Sequence, residues 1–426
     1  MSRAALAALC LALVLPAAAE GDRTTLGSGA WSWFGDPRAV YLKGSVYTGW
    51  ITRAGRVQIA RYRVRSGRTK VTTIKTGMGR DDHNNPSLLV RPDGRITAFF
   101  SPHSGYTLPP PGITKTMWYR TTKQPRRIGG WGALHRIRTN SPGPLGWTYP
   151  NPIRLSAERR TWLFWRGGNW QPTFSTSRDG LHWARARTFI RGPGKNRPYV
   201  KYDSNGRDTI DLAFTQAHPD SYRTGIFYAR YRHGTVRGAG GRLIARNDSL
   251  PFAAGHGEVV YRPRARGRAW TFDVAHGSHN HPVIAYVTYP TPSRPLYRYA
   301  RWDGRHWRNH DIVRAGPPIA GDYAAGMSLD HEDPSTVLLA RKVKGEFEIE
   351  RWHTADFGRS WSHVPVTKGS RGVKNIRPVT PRGMPGTDFV VWLRGSYRGW
   401  RTFATRVRLR GFPRSPLVEL ARAPAA

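Results

Sequence analysis

The chain has 426 residues and carries 68 lysines and arginines against 27 aspartates and glutamates, a formal net charge of +41. Its single cysteine, Cys10, excludes a disulfide framework and a thiolate metal site. The 33 prolines and 46 glycines leave little room for long helices.

Met1-Ser2-Arg3, the apolar run Ala4–Leu15 and Pro16-Ala17-Ala18-Ala19 read as a secretory signal peptide over residues 1–19. Cys10 sits inside the apolar run instead of closing it, so no lipoprotein is expected. No later apolar run approaches the ~20 residues needed to cross a bilayer. The expectation is an exported, soluble protein, extracellular or periplasmic and monomeric. Eleven lysines leave 57 arginines among the basic residues. Codon preference explains such an excess, and so does a polyanionic partner gripped by guanidinium forks. For an exported protein that partner is acidic polysaccharide sooner than nucleic acid. The basic residues are spread along the chain, which argues against a membrane-surface helix.

Short alternating runs follow in chain order: Ala39–Tyr47, Val57–Val64, Leu88–Val90, Ile96–Phe100, Thr161–Trp165, Thr209–Phe214 and Ile226–Tyr231 in the first half. Val283–Val287, Leu296–Trp302, Thr336–Leu339, Phe347–Trp352, Phe389–Leu393 and Thr402–Val407 complete the series. Gly, Pro, Asp or Asn bounds each run, the pattern of an all-β chain. Ser177-Arg178-Asp179-Gly180-Leu181-His182-Trp183 and Thr354-Ala355-Asp356-Phe357-Gly358-Arg359-Ser360-Trp361 share Ser/Thr-x-Asp-(x)-Gly-x-x-Trp, with Trp302-Asp303-Gly304-Arg305-His306-Trp307 a degenerate copy. These resemble the Asp-box (BNR) hairpin turn: Asp and hydroxyl accept backbone donors, Gly takes positive φ, and Trp wedges against the neighbouring sheet. From Gly29 to Leu420 the chain offers roughly 390 residues, and ~50 residues per four-stranded blade gives seven or eight blades. A single seven-bladed β-propeller over residues 29–420 is predicted; two β-sandwich domains are the alternative.

The segment Gly79–Gly105 is the centre of the functional reading. Asp81-Asp82-His83-Asn84-Asn85-Pro86 leads into a hairpin turned at Pro92-Asp93-Gly94, so His83 and His103 return to the same side. Comparable polar and proline clusters enter other inner strands: Trp33 to Arg38, Tyr149-Pro150-Asn151-Pro152, Arg197 to Lys201, and Asn375-Ile376-Arg377-Pro378. Proline fixes the loop backbone and so the angle of its polar neighbour.

Asp-Asp-His-Asn-Asn-Pro with a second His twenty residues on resembles the BNR-repeat polysaccharide lyases of the ulvan-lyase type. So do Trp31-Ser32-Trp33-Phe34-Gly35-Asp36-Pro37-Arg38-Ala39 and Tyr149-Pro150-Asn151-Pro152 followed by Phe164-Trp165-Arg166-Gly167-Gly168. The match covers mainly Trp31–Gly168. It implies a seven-bladed propeller in which His83 and Tyr149 are the catalytic pair, Arg166 neutralises the substrate carboxylate and His103 contacts substrate. The chemistry fits on its own terms. β-Elimination from a uronate chain needs a cation on the carboxylate, a base for the C5 proton and an acid for O4. Arg166 suits the first task, while His83 and Tyr149 share the other two in an order the sequence leaves open. Asn84, Arg38, Tyr199, Lys201, His218 and Arg377 are further candidate substrate contacts.

No cofactor is required for that chemistry, and no metal is assigned. His276, His279 and His281 have metal-ligand composition but read as a solvated loop. Asp330-His331-Glu332-Asp333 is a candidate structural Ca²⁺ turn. Two other classes remain open: a sialidase-like hydrolase using Arg38, Arg166 and Arg377 on a carboxylate, and a non-catalytic propeller that binds anionic glycans.

Overall fold

The computed structural model describes residues 24–103, 116–137, 147–168, 170–194, 196–220, 223–263, 267–385 and 389–412. The expected signal segment 1–19 and the end of the expected domain, 413–420, lie outside the described residues.

Seven antiparallel sheets surround a central channel. Blade 1 is built from Ala39–Leu42, Ser45–Ile51, Val57–Arg63 and Thr69–Lys75. Blade 2 runs from Ser87–Val90 through Ile96–Phe100 to Met117–Gln124, whose outer edge pairs with both Arg127–Trp131 and His135–Ile137. Blades 3 to 6 start from the inner strands Thr148–Leu155, Val200–Ser204, Arg268–Ala275 and Met327–Leu329. Blade 7 comprises Lys374–Val379, Phe389–Gly399 and Thr402–Gly411, and its fourth strand is Thr24–Ser28 from the other end of the chain. The first described strand, Thr24–Ser28, lies before the expected boundary at Gly29. That first strand pairs Thr24 with Leu409 and Ser28 with Arg406, closing the ring through backbone hydrogen bonds. Among the described residues the helical segments are short 3₁₀ turns at Asp82–Asn84, Ala254–His256 and Ser278–Asn280.

Period-2 patterning explains the blades. The second strands are buried along their length in blades 1 to 5, as in Val283–Tyr289, and over their first five residues in blades 6 and 7, because each lies between two neighbouring blades. Outer strands such as Trp307–Arg314 are half-buried to exposed. Large aromatics fill the wedges between sheets, with Trp31, Trp50, Trp147, Trp162, Trp165 and Trp392 fully buried.

The Asp-boxes do what their composition requires. Asp179 Oδ1 accepts the Leu181 and His182 N–H groups at 2.8 Å, and Ser177 Oγ accepts Gly180 N–H at 2.8 Å. Asp356 Oδ1 accepts Ser360 N–H at 2.8 Å, and Thr354 Oγ1 accepts Gly358 N–H at 2.7 Å. Gly358 has φ 100°, a left-handed value that costs glycine little. Each box tryptophan packs edge-on against the preceding blade: Trp183 on Phe99, Trp307 on Tyr228 and Trp361 on Tyr299. The boxes therefore staple blade 3 to blade 2, 5 to 4, and 6 to 5. They join third to fourth strands, at the opposite end of the propeller from the segments that enter the inner strands.

Closure is tight where the chain passes from blade 7 into blade 1. Gly29 N–H donates to Thr405, Ala30 exchanges hydrogen bonds with Ile51, and a Cβ on Gly29 would sit 2.4 Å from the Ile51 carbonyl oxygen. Gly29→Ala is expected to destabilise the fold by about 1–3 kcal/mol through overpacking. Gly255→Ala, whose Cβ would meet nothing within 4 Å, is expected to leave the urea midpoint almost unchanged.

Candidate active site

Two kinds of segment meet at one end of the channel. Connections leading into inner strands supply Asp81 to Asn84, Tyr149, Tyr199 and Tyr323. Tips of the hairpins between second and third strands supply His103, Arg166, Trp170, His218 and Trp400. A cleft of about 520 Å³ opens between them, lined by His83, His103, Arg166, Tyr199, His218 and Trp400 among others.

The Asp82–Asn84 turn is capped by Asp81, whose side chain accepts the His83 N–H at 3.0 Å. Asp81 is fully buried, and its two oxygens serve two imidazoles. Oδ1 lies 2.7 Å from His83 Nδ1 and Oδ2 lies 3.0 Å from His103 Nδ1. The rings stack with centroids 3.8 Å apart and planes 10° apart. With both Nδ1 atoms turned toward the carboxylate, both Nε2 atoms are left for chemistry. Trp400 abuts both rings edge-on, at 5.5 and 4.9 Å. Asn84 is buried beneath them, accepting the His103 N–H at 2.7 Å and donating to the Met78 carbonyl at 2.6 Å.

Burial and repulsion allow this pair one positive charge. Burial would lower the His83 pKa, but Asp81 and Asp82 outweigh it and hold His83 above its ordinary value. Burial and the adjacent His83 charge lower His103 to about 3, against the opposing pull of Asp81. Burial would raise Asp81, yet the two histidines hold its carboxyl well below the usual range. The cluster therefore keeps its carboxylate ionised and His103 neutral, and biases His83 toward the protonated form.

Arg166 forms the opposite wall. It is 7% exposed, and Nη1 donates to Tyr199 Oη at 2.9 Å, while Nε and Nη2 are buried without a hydrogen-bond partner among the described residues. Its guanidinium lies 4.6 Å from the Tyr149 ring centroid and 4.8 Å from that of Trp170. Tyr149 adopts φ 63° at a register shift of its inner strand between Thr148 and Asn151. Such a bulge re-aims a side chain. Its ring centroid is 5.3 Å from that of His83. Burial raises the Tyr149 hydroxyl pKa well above 10, with Arg166 opposing, so it stays a neutral phenol. Tyr149 lies just behind the cleft wall, in a small adjoining cavity with Arg166 and Tyr199.

The structure brings together His83, Tyr149, Arg166, His103, Tyr199 and His218, drawn from three successive blades. His218 pairs with Asp220 and is edge-on to Tyr199; burial and Arg197 lower it to about 4. Three expected substrate contacts are instead internal braces. Arg38 and Lys201 are buried around Asp36, at 3.0 and 2.7 Å, and also donate to the Ser32 and Trp33 carbonyls. Arg377 is buried with φ 52° at another bulge of an inner strand. Its guanidinium lies 3.4 Å from the Trp33 ring centroid and reaches Asp82 at 2.8 Å, with further donors on Tyr397 and the Trp31 carbonyl. Asn84 likewise spends its amide on backbone. Removing any of these desolvated charges would strand its partner.

Trp170, Tyr323, Tyr397 and Trp400 escaped the sequence reading, and Asp81 and Arg197 stood in its clusters without a role. Asp81 stood in the motif and carries a legible signal, an Asx cap two residues before a histidine. Among the described residues, Asp81, His83 and His103 are the group whose ligand atoms lie close enough to hold a metal ion, within 4.8 Å of one another. In this geometry the carboxylate already takes hydrogen bonds from both Nδ1 atoms. His276 pairs with Asp211 at 2.5 Å, and His279 and His281 are separated by 6.4 Å between centroids. The carboxylates of the Asp330–Asp333 turn accept hydrogen bonds from Glu332, Ser335 and Thr336.

The family model of the BNR repeat-containing family matches residues 45–315. Two structures of an ulvan lyase, described as a new family of polysaccharide lyase, superpose with TM-scores of 0.67 and 0.66 at 16% identity. Each alignment covers 95% of this chain and 100% of that one, and the second enzyme is bound to -[GlcA(1-4)Rha3S]-. The BP39L lectin from Burkholderia pseudomallei aligns with a TM-score of 0.50 and 10% identity, over 89% of this chain and 99% of the lectin. A search of the curated proteins found no significant match. At these identities the likeness establishes the seven-bladed fold.

Because folded His103 titrates near 3 and an unfolded histidine near 6.5, the unfolded chain binds an extra proton between these pH values. Acidification through that window therefore costs stability. His103→Gln is expected to flatten the fall in melting temperature between pH 6.5 and 4 relative to the parent chain, measured by calorimetry.

Proposed function

Since this chain belongs to the BNR repeat-containing family, we propose that it is a polysaccharide lyase that cleaves a uronate-containing anionic polysaccharide by β-elimination. The observation that carries the proposal is the buried guanidinium of Arg166, with two donors unpaired, facing two imidazoles on one carboxylate. A desolvated cation with free donors is complementary to a planar carboxylate. A facing base and acid are what such an anchored uronate needs in order to react.

In the proposed step the uronate carboxylate seats on Arg166, which makes the C5 proton more acidic and stabilises the enolate-like charge that develops on its removal. His103, the neutral ring with Nδ1 turned to Asp81, takes the C5 proton at Nε2. The C5–H electron pair forms the C4=C5 bond, the C4–O4 bond breaks, and O4 is protonated by His83 or by the Tyr149 hydroxyl behind it. One proton leaves carbon, one reaches the leaving oxygen, and no cofactor takes part. Tyr199 holds Arg166, His218 braces Tyr199, and Trp400 offers a half-exposed ring at the rim for a sugar face.

The relatives support this reading without carrying it. The ulvan lyase shares the fold along the chain, and its bound fragment, -[GlcA(1-4)Rha3S]-, contains a uronate and a sulfated sugar. Export through an N-terminal signal, action as a monomer outside the cytoplasm, and an acidic polysaccharide partner belong to the same proposal. The hydrolase alternative is disfavoured because Arg38 and Arg377 are committed to Asp36 and Asp82, leaving Arg166 alone of that triad in the cleft.

Incubation with a panel of uronate polysaccharides is expected to raise ultraviolet absorbance from the conjugated C4=C5 product. His83→Ala, His103→Ala and Arg166→Ala are each expected to lower kcat/KM at least ~100-fold. Tyr149→Phe separates the two acids: a similar loss assigns the leaving-group proton to Tyr149, and retained activity assigns it to His83. Reducing-sugar release without absorbance would replace the lyase reading with hydrolysis, and binding with neither signal would make the protein a lectin.

A further inference from the structure

A second charged feature lies at the other end of the propeller. The ends of the third strands and the starts of the next strands in blades 1 and 2 enclose a groove of about 460 Å³. Its lining contains Arg61, Arg63, Lys70, Lys123 and Arg127 and no carboxylate. The antiparallel alternation of the blades puts this groove at the end away from the catalytic cleft.

The groove is built, not merely decorated. Thr72 Oγ1 donates to the Ile128 carbonyl at 2.8 Å and Tyr47 Oη to the Arg126 carbonyl at 2.8 Å, which fixes one wall against the other. Gly129 leaves room for Lys70 to cross the floor, since a Cβ there would meet Lys70 Nζ at 2.7 Å. Counter-charge is scarce throughout these two blades. Between Asp36 and Glu158 the sequence holds only Asp81, Asp82 and Asp93 as acids. The first two are buried in the cleft, and Asp93 is paired with Arg95 and Arg91. Five like charges around one concavity repel one another and raise its potential, a cost to the fold that a multivalent anion would relieve.

We propose that this groove is a second polysaccharide-binding site, which takes the sulfate and carboxylate groups of an extended anionic glycan away from the cleft. The proposal rests on the polysaccharide reading of the cleft for the identity of the polyanion. The lining fits a glycan better than a nucleic acid. It offers no aromatic ring for base stacking. Gln124 adds an amide suited to sugar hydroxyls. A polymer held at both ends of the propeller gains avidity, since its second attachment is intramolecular. Part of the charge excess thereby acquires a use.

Labelled dextran sulfate, which contains no uronate to cleave, tests the groove independently of catalysis. A variant with Arg61, Arg63, Lys70, Lys123 and Arg127 all changed to Gln is expected to bind it at least ~10-fold more weakly, with a shallower salt dependence. A control with Arg207, Arg237, Arg242, Arg246 and Arg305 changed to Gln removes as many exposed cations elsewhere and is expected to lose far less. Equal losses in the two variants would overturn the proposal, as would displacement of dextran sulfate by duplex DNA at lower charge concentration. Acetylation of the parent chain needs no variant: Lys70 and Lys123 are expected to be protected by dextran sulfate, and their unchanged labelling would contradict the site. If no uronate polymer is cleaved but this binding holds, the lyase reading fails and the groove stands.

Discussion

The chemistry of this propeller hangs on the buried carboxylate of Asp81. A desolvated aspartate is costly unless its lone pairs are used, and here both oxygens are claimed by stacked imidazoles. The shared carboxylate orients both Nδ1 atoms and directs both Nε2 atoms outward. Two histidines in water would titrate alike; here Asp81 and Asp82 together raise His83, while burial and the neighbouring His83 charge lower His103 against the pull of Asp81. Such separation of two similar groups is how one site comes to hold an acid and a base at one pH.

The rest of the structure keeps that arrangement rigid. Asp82 beside His83 is tied to Arg377 and Tyr397, and Arg377 is sandwiched against Trp33, which stacks on Tyr323. These residues belong to blades 7, 1 and 6, so the turn bearing His83 is braced across the channel by parts distant in sequence. Asn84 fixes the backbone of His103 from below. The Asp-boxes and the closing strand act farther out, holding the blades at the angles that let these side chains converge.

Much of this was legible in the chain. The hairpin reading of Leu88–Val90 and Ile96–Phe100 corresponds to strands Ser87–Val90 and Ile96–Phe100, and its prediction that His83 and His103 meet is realised as a ring stack. Asp179, Asp303 and Asp356 announced their turns because an Asp-box is a local device whose partners lie within a few residues. Lys201 and Arg377 were misread for the opposite reason. Their polar character and spacing matched cleft residues, but Asp36 and Asp82 consume their charge, and those pairings span 165 and 295 positions in Lys201 and Arg377. Tyr149 and Arg377 also sit at bulges with positive φ, which no alternation pattern reveals. Trp400 was missed because a tryptophan between Gly399 and Arg401 reads as an ordinary turn until the blade 7 hairpin is seen to reach the blade 2 histidines.

The most direct test of the account is nitrogen-15 NMR of the histidine-labelled chain near neutral pH, with His83→Gln and His103→Gln spectra assigning the two rings. The account predicts one imidazole protonated on both nitrogens, with a raised pKa, and one neutral imidazole protonated at Nδ1 that resists protonation until strongly acid pH. Two rings that titrate together near 6.5 would contradict it.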